Sequence, residues 1–369
     1  MGAYETRSPG HQYSSGHDRS FRLLGYLRLV DHPCSAAVQR ASAAQDTQRH
    51  TWLYSPVHHP SRSGLEAVGG YIGKRRSERT WVEETMADFE ELSILTVSHN
   101  SAGALAEWLR AWGGYGAQLV VADNGSTDSS QDLARAAGAK VVDSGGNPGF
   151  AAGVNRAASN SRGRRLLVCN PDAVPFDDRS LESLLSAQGP GRLVGGQLVD
   201  RSGRHLPSGG RWPDPGWVAS QVFGPAGSLW SDGGVDWVQG AVMAMNRKDL
   251  LERLGGVCEE YPLYFEDVDL CHRAREMGME VALNQEARFV HAEGSGSPGY
   301  RRSRLAAYHW GLYLFFARRA PAEAGRVRRL LLVKCVLRML VSPLMARGSF
   351  TGYLDAFESL LSLKRPVLD

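Results

Sequence analysis

The stretch Gln118-Leu119-Val120-Val121-Ala122-Asp123-Asn124-Gly125-Ser126-Thr127-Asp128 decides how this chain folds. A short apolar run over Gln118–Ala122 ends abruptly in turn formers, and Asp128–Ala137 then carries a helical pattern closed by Gly138. Ser126 and Thr127 are capping candidates for that helix. An apolar run of this length bounded by turn residues reads as a buried strand. The same alternation extends outward in both directions. Upstream, Leu92–Ser98 is an apolar strand, and Ala102–Trp112 is a helix ended by Gly113-Gly114. Downstream follow a strand at Lys140–Val142, a helix at Ala151–Ser159 and a strand at Arg165–Cys169. Strands alternating with helices imply an α/β fold, a parallel sheet with helices on both faces. Ligands of such sheets bind beyond the carboxyl ends of the strands, and polar clusters fall at those ends here.

The rest of the chain is less regular. Residues 189–234 are rich in Gly, Pro, Ser and Trp and read as irregular loops on the acceptor side. Val238–Met245 reads as a strand, Arg247–Leu254 as a helix capped by Asn246, and Glu266–Met277 as a helix followed by Gly278. Val281–Leu283 and Arg288–His291 read as short strands, and the chain is expected to be helical from Ser303 onward. Residues 1–90 hold six of the eleven histidines, lack periodicity and are expected to be a disordered extension. Within it the adjacent His58 and His59 read as solvated residues rather than a metal site. Met86 offers an alternative start, in which residues 1–85 belong to an over-long gene reading; a native peptide upstream of Met86 would refute that.

Composition narrows the function classes. A net charge of +3 over 369 residues argues against a protein built mainly to hold nucleic acid. The five cysteines, at 34, 169, 258, 271 and 335, form no CxxC pair. That pattern fits a reducing compartment and argues against a disulfide framework or structural zinc. No continuous apolar segment opens the chain as a signal peptide would. The longest candidate membrane span, Leu330–Ala346, is interrupted by Lys334, Arg338 and Pro343.

Five clusters can carry chemistry. Asp123-Asn124-Gly125 follows a strand, where a carboxylate can accept from a base imide or a ribose hydroxyl and the next helix N-terminus favours an anion; the same residues also make an ordinary strand–turn–helix junction. In Asn147-Pro148-Gly149-Phe150-Ala151-Ala152-Gly153-Val154-Asn155, glycines beside a helix start let backbone approach a ligand, or simply shape a loop. Asn170-Pro171-Asp172 is either a turn or a strand-end carboxylate for Mg2+ or Mn2+, hard ions that take few protein ligands. Glu266, Asp267 and Asp269 open a helix, where the dipole stabilises carboxylates as caps. One of them can alternatively be the general base that inverting glycosyl transfer requires. His291, in Phe289-Val290-His291, is either structural or a completing ligand of the metal site.

Taken in this order, the clusters resemble family 2 glycosyltransferases of the GT-A fold, over roughly Leu92 to Ser297. Within that family the chain looks most like bacterial rhamnosyltransferases acting on lipid-linked acceptors. The resemblance implies a mostly parallel GT-A sheet over residues 91–300 and a basic helical region over 301–369. It implies nucleotide-sugar contacts from Thr96, Asn100, Asp123, Asn124, Gly149, Asn155 and Asn170, with His99 standing where Tyr is commoner. It also implies a metal site at Asp172 and His291, an acceptor side at Trp237, Gly240 and Glu266, and Asp267 as catalytic base. The implied donor is dTDP-rhamnose, with UDP-galactofuranose or another UDP- or GDP-sugar as alternatives. The implied acceptor is a polyprenyl-linked or other saccharide in cell-wall or surface polysaccharide synthesis.

Between Arg301 and Arg347 stand eleven basic residues and one acid, Glu323. Arg318, Arg319, Arg326, Arg328, Arg329, Lys334 and Arg338 are interleaved with leucines and valines, and Lys334 and Arg338 share a helix face. Such a helix either packs on a core with a solvated basic face or lies on an anionic membrane. The latter gives a cytoplasmic protein, peripheral on the inner face of the plasma membrane. Two other function classes compete: a nucleotidyltransferase, disfavoured because 99–103 lacks a basic Gly-rich loop, and a non-catalytic binding module, disfavoured by the intact carboxylates.

Overall fold

The computed structural model describes residues 91–223, 229–231, 234–291, 301–341 and 349–367. The extension over 1–90, with His58, His59 and Met86, lies outside the described residues, as do 292–300.

The strands are β1 (Leu92–Ser98), β2 (Gln118–Asp123), β3 (Lys140–Asp143), β4 (Arg165–Cys169), β5 (Ala173–Pro175), β6 (Arg192–Val199), β7 (Gly209–Gly210), β8 (Trp237–Val238), β9 (Val242–Asn246) and β10 (Glu280–His291). The helices are α1 (Ala102–Trp112), α2 (Ser130–Ala136), α3 (Phe150–Ser159), α4 (Arg179–Ala187), α5 (Pro215–Phe223), α6 (Glu266–Glu276), α7 (Arg301–Arg319), α8 (Pro321–Val341) and α9 (Ser349–Ser362). Eight strands form one sheet in the order β3-β2-β1-β4-β9-β6-β10-β5. β1 to β4 run parallel, β9 runs antiparallel to β4 and β6, and β5 runs antiparallel to β10. The expected mostly parallel, helix-flanked sheet is therefore present.

Two apolar layers cover the sheet. One contains Ile94, Trp108, Trp112, Val121 and Phe289. The other contains Leu95, Val154, Leu166, Met245 and Val268, and it continues without a break into Leu312, Phe315, Val327, Leu331, Tyr353 and Leu360 of α7, α8 and α9. The C-terminal helices thus share a core with the sheet. Among the described residues, no helix is long and apolar enough to cross a membrane.

The structure corrects the expectation of irregular loops over 189–234. β6 lies inside the sheet between β9 and β10. Its Gly195-Gly196 pair suggested a loop but makes room for neighbours. A Cβ on Gly195 would meet Val238 at 2.6 Å, and one on Gly196 would meet the Phe289 ring at 2.5 Å. Nearby, α5 starts at Pro215 because Asp214 Oδ1 accepts from the Gly216 and Trp217 amides. α4 was not foreseen. Val238–Met245 is two strands broken at Gly240, the expected helix at 247–254 is a short π-type turn over Asp249–Arg253, and β10 runs on through a bulge between Asn284 and Arg288.

Candidate active site

The sheet topology places the site. Because β1, β2, β4 and β10 share one direction, Asn100, Asp123, Asn170 and His291 fall at the same rim. β9 runs the other way, so its leading residues Gly240 and Ala241 reach that rim too.

Two consecutive residues tie the catalytic candidates together. The Gly240 amide donates to Asp267 Oδ2 at 2.9 Å. The next residue, Ala241, accepts from the Asn170 amide at 2.9 Å. Asn170 Nδ2 lies 3.3 Å from His291 Nε2, and Asp172 Oδ1 lies 3.3 Å from the same nitrogen. His291 arrives there because it pairs with Ala173 across β10 and β5. Asp267, Gly240, Asn170, Asp172 and His291 are therefore one connected group.

The three acids that open α6 have different work. Asp267 is partly exposed and accepts from the Gly240 and Val268 amides. Burial still raises its pKa above the ordinary carboxylate value. Glu266 is only 5 % exposed, and its Oε2 has no hydrogen-bond partner. Burial, and then the charge of Asp267, push its pKa well up. Asp269 is fully buried, yet Arg273 and Arg319 overcome its desolvation and hold its pKa down. Arg273 Nε bonds Asp269 Oδ2 at 2.8 Å, and Arg319 Nη2 bonds Oδ1 at 2.7 Å.

The turn feeding α6 is strained. Tyr264 and Phe265 both adopt left-handed backbone, with φ 68 and 69°. Such conformations cost non-glycine residues energy and persist only where surroundings impose them. Here α7 imposes them: Gly311 lets the helix lie against this turn, and a Cβ there would meet the Tyr264 carbonyl at 2.7 Å.

On the nucleotide side, Asp123 is fully buried. Its Oδ1 accepts from the Ser126 amide and from Gln131 Nε2, while Oδ2 has no partner. Thr96 lies two residues inside β1, and its buried Oγ1 also lacks a partner. The other expected contacts are occupied by protein. Asn100 Oδ1 accepts from the Thr127 amide at 2.7 Å and lashes two loops together. Asn124 Nδ2 donates to the Gly149 carbonyl at 3.0 Å. Gly149, at φ 104°, passes so close to Pro262 that a Cβ would lie 2.6 Å from its carbonyl oxygen. Asn155 bonds Val257 through both amide atoms, and Glu259 besides. Trp237 is buried, with its indole N–H on the Arg211 carbonyl.

The metal candidates fit a hard divalent ion. A carboxylate, an imidazole and an amide side chain converge, and the amide can present either its oxygen or its nitrogen. Among the described residues no group of three or more His, Cys, Asp and Glu assembles a full cage. An ion that keeps diphosphate and water ligands needs none.

Sequence reasoning missed the strained turn, the Asp269–Arg319 pair, and Phe150, whose ring lies 3.6 Å from where a Gly240 Cβ would stand. Only the first left a trace in the sequence, as two aromatics directly ahead of the acids.

The chain is similar in sequence to known glycosyltransferases. Residues 93–255 match the model of Glycosyl transferase family 2. The Mycobacterium tuberculosis N-acetylglucosaminyl-diphospho-decaprenol L-rhamnosyltransferase is 27 % identical over 236 residues, spanning 54 % of this chain and 75 % of that protein. The Haloferax volcanii low-salt glycan biosynthesis hexosyltransferase Agl10 is 26 % identical over 220 residues, 57 % of this chain and 69 % of its own. Among solved structures, a Pyrobaculum calidifontis mannosyltransferase in complex with GDP-Man and Mn2+ superposes with a TM-score of 0.46 at 16 % identity, covering 74 % of this chain and 81 % of that one.

Proposed function

We propose that the chain, a glycosyltransferase whose residues 93–255 match glycosyl transferase family 2, transfers one sugar with inversion onto a lipid-linked saccharide. The observation that carries the proposal is the Gly240–Ala241 segment, whose Gly240 amide donates to Asp267 and whose Ala241 carbonyl accepts from the Asn170 amide. It sets a proton acceptor beside a candidate diphosphate-holding group.

Asp267 takes the proton from the attacking acceptor hydroxyl as positive charge develops at the anomeric carbon. The Gly240 and Val268 amides orient its carboxylate. Glu266, buried beside it, lines the acceptor side. The unpartnered Asp123 Oδ2 is suited to an imide N–H of a pyrimidine base. Asp172, His291 and Asn170 would hold Mg2+ or Mn2+. That ion supplies charge neutralisation for the departing nucleoside diphosphate. Asn100, Asn124, Gly149 and Asn155 shape the donor pocket by fixing its loops, and the buried Trp237 belongs to the acceptor side.

The name of the mycobacterial relative favours dTDP-rhamnose as donor and a polyprenyl-diphosphate-linked sugar as acceptor. Attachment to the inner face of the plasma membrane goes with such an acceptor. On α8, Arg326 and Arg329 are exposed in line with Val333, Val336, Leu337, Leu340 and Val341. A stripe with cations at one end and aliphatic residues at the other suits an anionic lipid surface.

The test is thermal shift against dTDP-, UDP- and GDP-sugars with Mg2+ or Mn2+, followed by transfer assays. A donor at about 100 times its Kd should stabilise the protein by roughly 2.7 kcal/mol. No shift and no transfer with any nucleotide sugar would end the proposal. Failure to sediment with anionic vesicles would end its membrane part alone.

A further inference from the structure

Most cations of the helical tail are already committed. Arg318 pairs with Glu260, and Arg319 with Asp269 and Glu276. Arg328 donates to the Leu360 and Leu361 carbonyls, and Arg326 pairs with Glu323. Lys334 differs. It is only 8 % exposed, and among the described residues it has no hydrogen bond or carboxylate partner; its one contact of note is the Tyr308 ring, whose centroid lies 6.0 Å from Nζ. Arg338 stands one turn further along α8, is exposed, and likewise has no counter-charge among the described residues. Burial and the Arg338 charge lower the Lys334 pKa. An ammonium so placed carries a desolvation cost and a like-charge repulsion, and both are relieved by an anion.

The surroundings say which anion. Tyr308 packs against Tyr264 at 6.0 Å and Phe265 at 5.4 Å, the two strained residues directly ahead of Glu266 and Asp267. Arg304 donates to the Tyr264 hydroxyl and leans over its ring. The same helix exposes Val333, Val336, Leu337, Leu340 and Val341. The base, the aromatic rings and the Lys334 ammonium are thus joined by successive contacts, and the helix that carries the cation pair also carries an apolar surface. A lipid-linked saccharide has the matching parts: hydroxyl, sugar ring, diphosphate, prenyl chain.

We propose that Lys334 and Arg338 form the subsite for the acceptor's diphosphate, with Tyr264 and Tyr308 flanking the sugar that precedes it. The subsite rests on the reading of the chain as a transferase to lipid-linked saccharides. It distinguishes such acceptors from uncharged glycosides and sets the reach from membrane to base.

The experiment compares two acceptors on the full chain: N-acetylglucosaminyl diphosphate carrying a farnesyl group, and octyl N-acetylglucosaminide. The readout is the ratio of their kcat/KM values. Lys334→Gln should lower that ratio by roughly tenfold or more, the scale of one charge-assisted hydrogen bond. Arg338→Gln should lower it in the same direction, and Lys334→Arg should restore most of it. A ratio unmoved in Lys334→Gln, or equal losses on both acceptors, would overturn the subsite. Wild-type transfer to the octyl glycoside alone would overturn it while leaving the transferase reading intact. Transfer to neither acceptor from any nucleotide-sugar donor would overturn both.

Discussion

Asp267 at the head of α6 and Gly240 between β8 and β9 meet across the site, where the Gly240 amide lies 2.9 Å from the Asp267 carboxylate. The bond fixes the carboxylate's orientation without neutralising it. Asp267→Asn keeps the shape and removes the proton acceptor. The turnover number should fall by roughly 10²- to 10⁴-fold, the usual worth of a positioned base. Donor binding, read by calorimetry with a non-transferable nucleoside diphosphate, should hold. Full activity in this variant would remove Asp267 from the mechanism.

The pH profile follows from the same burial. Asp267 works ionised, and its pKa is raised by desolvation. Activity should therefore be lost as pH falls through that raised value, not through the ordinary carboxylate value near ~4. The acid limb of kcat/KM measures it directly. A limb at the ordinary position would argue against a buried carboxylate base.

Asp172 and His291 meet 3.3 Å apart at the end of β10. Asp172→Ala and His291→Ala should each weaken the Mn2+-dependent part of nucleoside diphosphate binding, and Asp172→Ala the more, since it removes a charge. Titrations with and without EDTA separate the two contributions. Identical metal dependence in wild type and Asp172→Ala would place the ion elsewhere.

Gly311 holds α7 against the strained turn before α6. Gly311→Ala would drive a methyl group to 2.7 Å from the Tyr264 carbonyl. A cost of about 1–3 kcal/mol is expected from overpacking, with a kcat loss beyond what the reduced folded fraction explains. Chemical denaturation and assays well below Tm distinguish the two effects. Wild-type stability and turnover would show that the helix yields freely.

His309 is buried among α7, α8 and α9, with its pKa pushed down to about 3 by burial and by the Lys334 charge. The unfolded chain binds this proton near ~6.5, and the native chain does not until far lower. Stability should therefore fall on acidification, by about 1.4 kcal/mol per pH unit at most, across the window between those two values. His309→Phe should flatten the slope of stability against pH there. An unchanged slope would mean that the ring gains its proton without unfolding.

Much of this could be read before the structure, because short-range chemistry dictated it. The strands from Leu92 to Cys169 announce themselves by apolar runs and turn residues, and the site acids by their place at strand and helix ends. β6 was hidden because its glycines answer to Val238 and Phe289, residues distant in the chain. The protein partners of Asn124 and Asn155 were hidden in the same way. An amide looks the same in sequence whether it meets a ligand or, like Asn155, a loop a hundred residues on. The separate employment of Glu266, Asp267 and Asp269 was equally invisible, since it depends on which arginine arrives from α7.

The Asp269–Arg319 pair ties the end of α7 to the helix that carries Asp267. Arg319 crosses from the tail to satisfy a carboxylate with no other route to water, two positions from the base. Trimming the protein back to its sheet would leave Arg273 as the one arginine on that buried carboxylate and take α7 away from the turn that aims Asp267. A working fragment should therefore extend at least through α7.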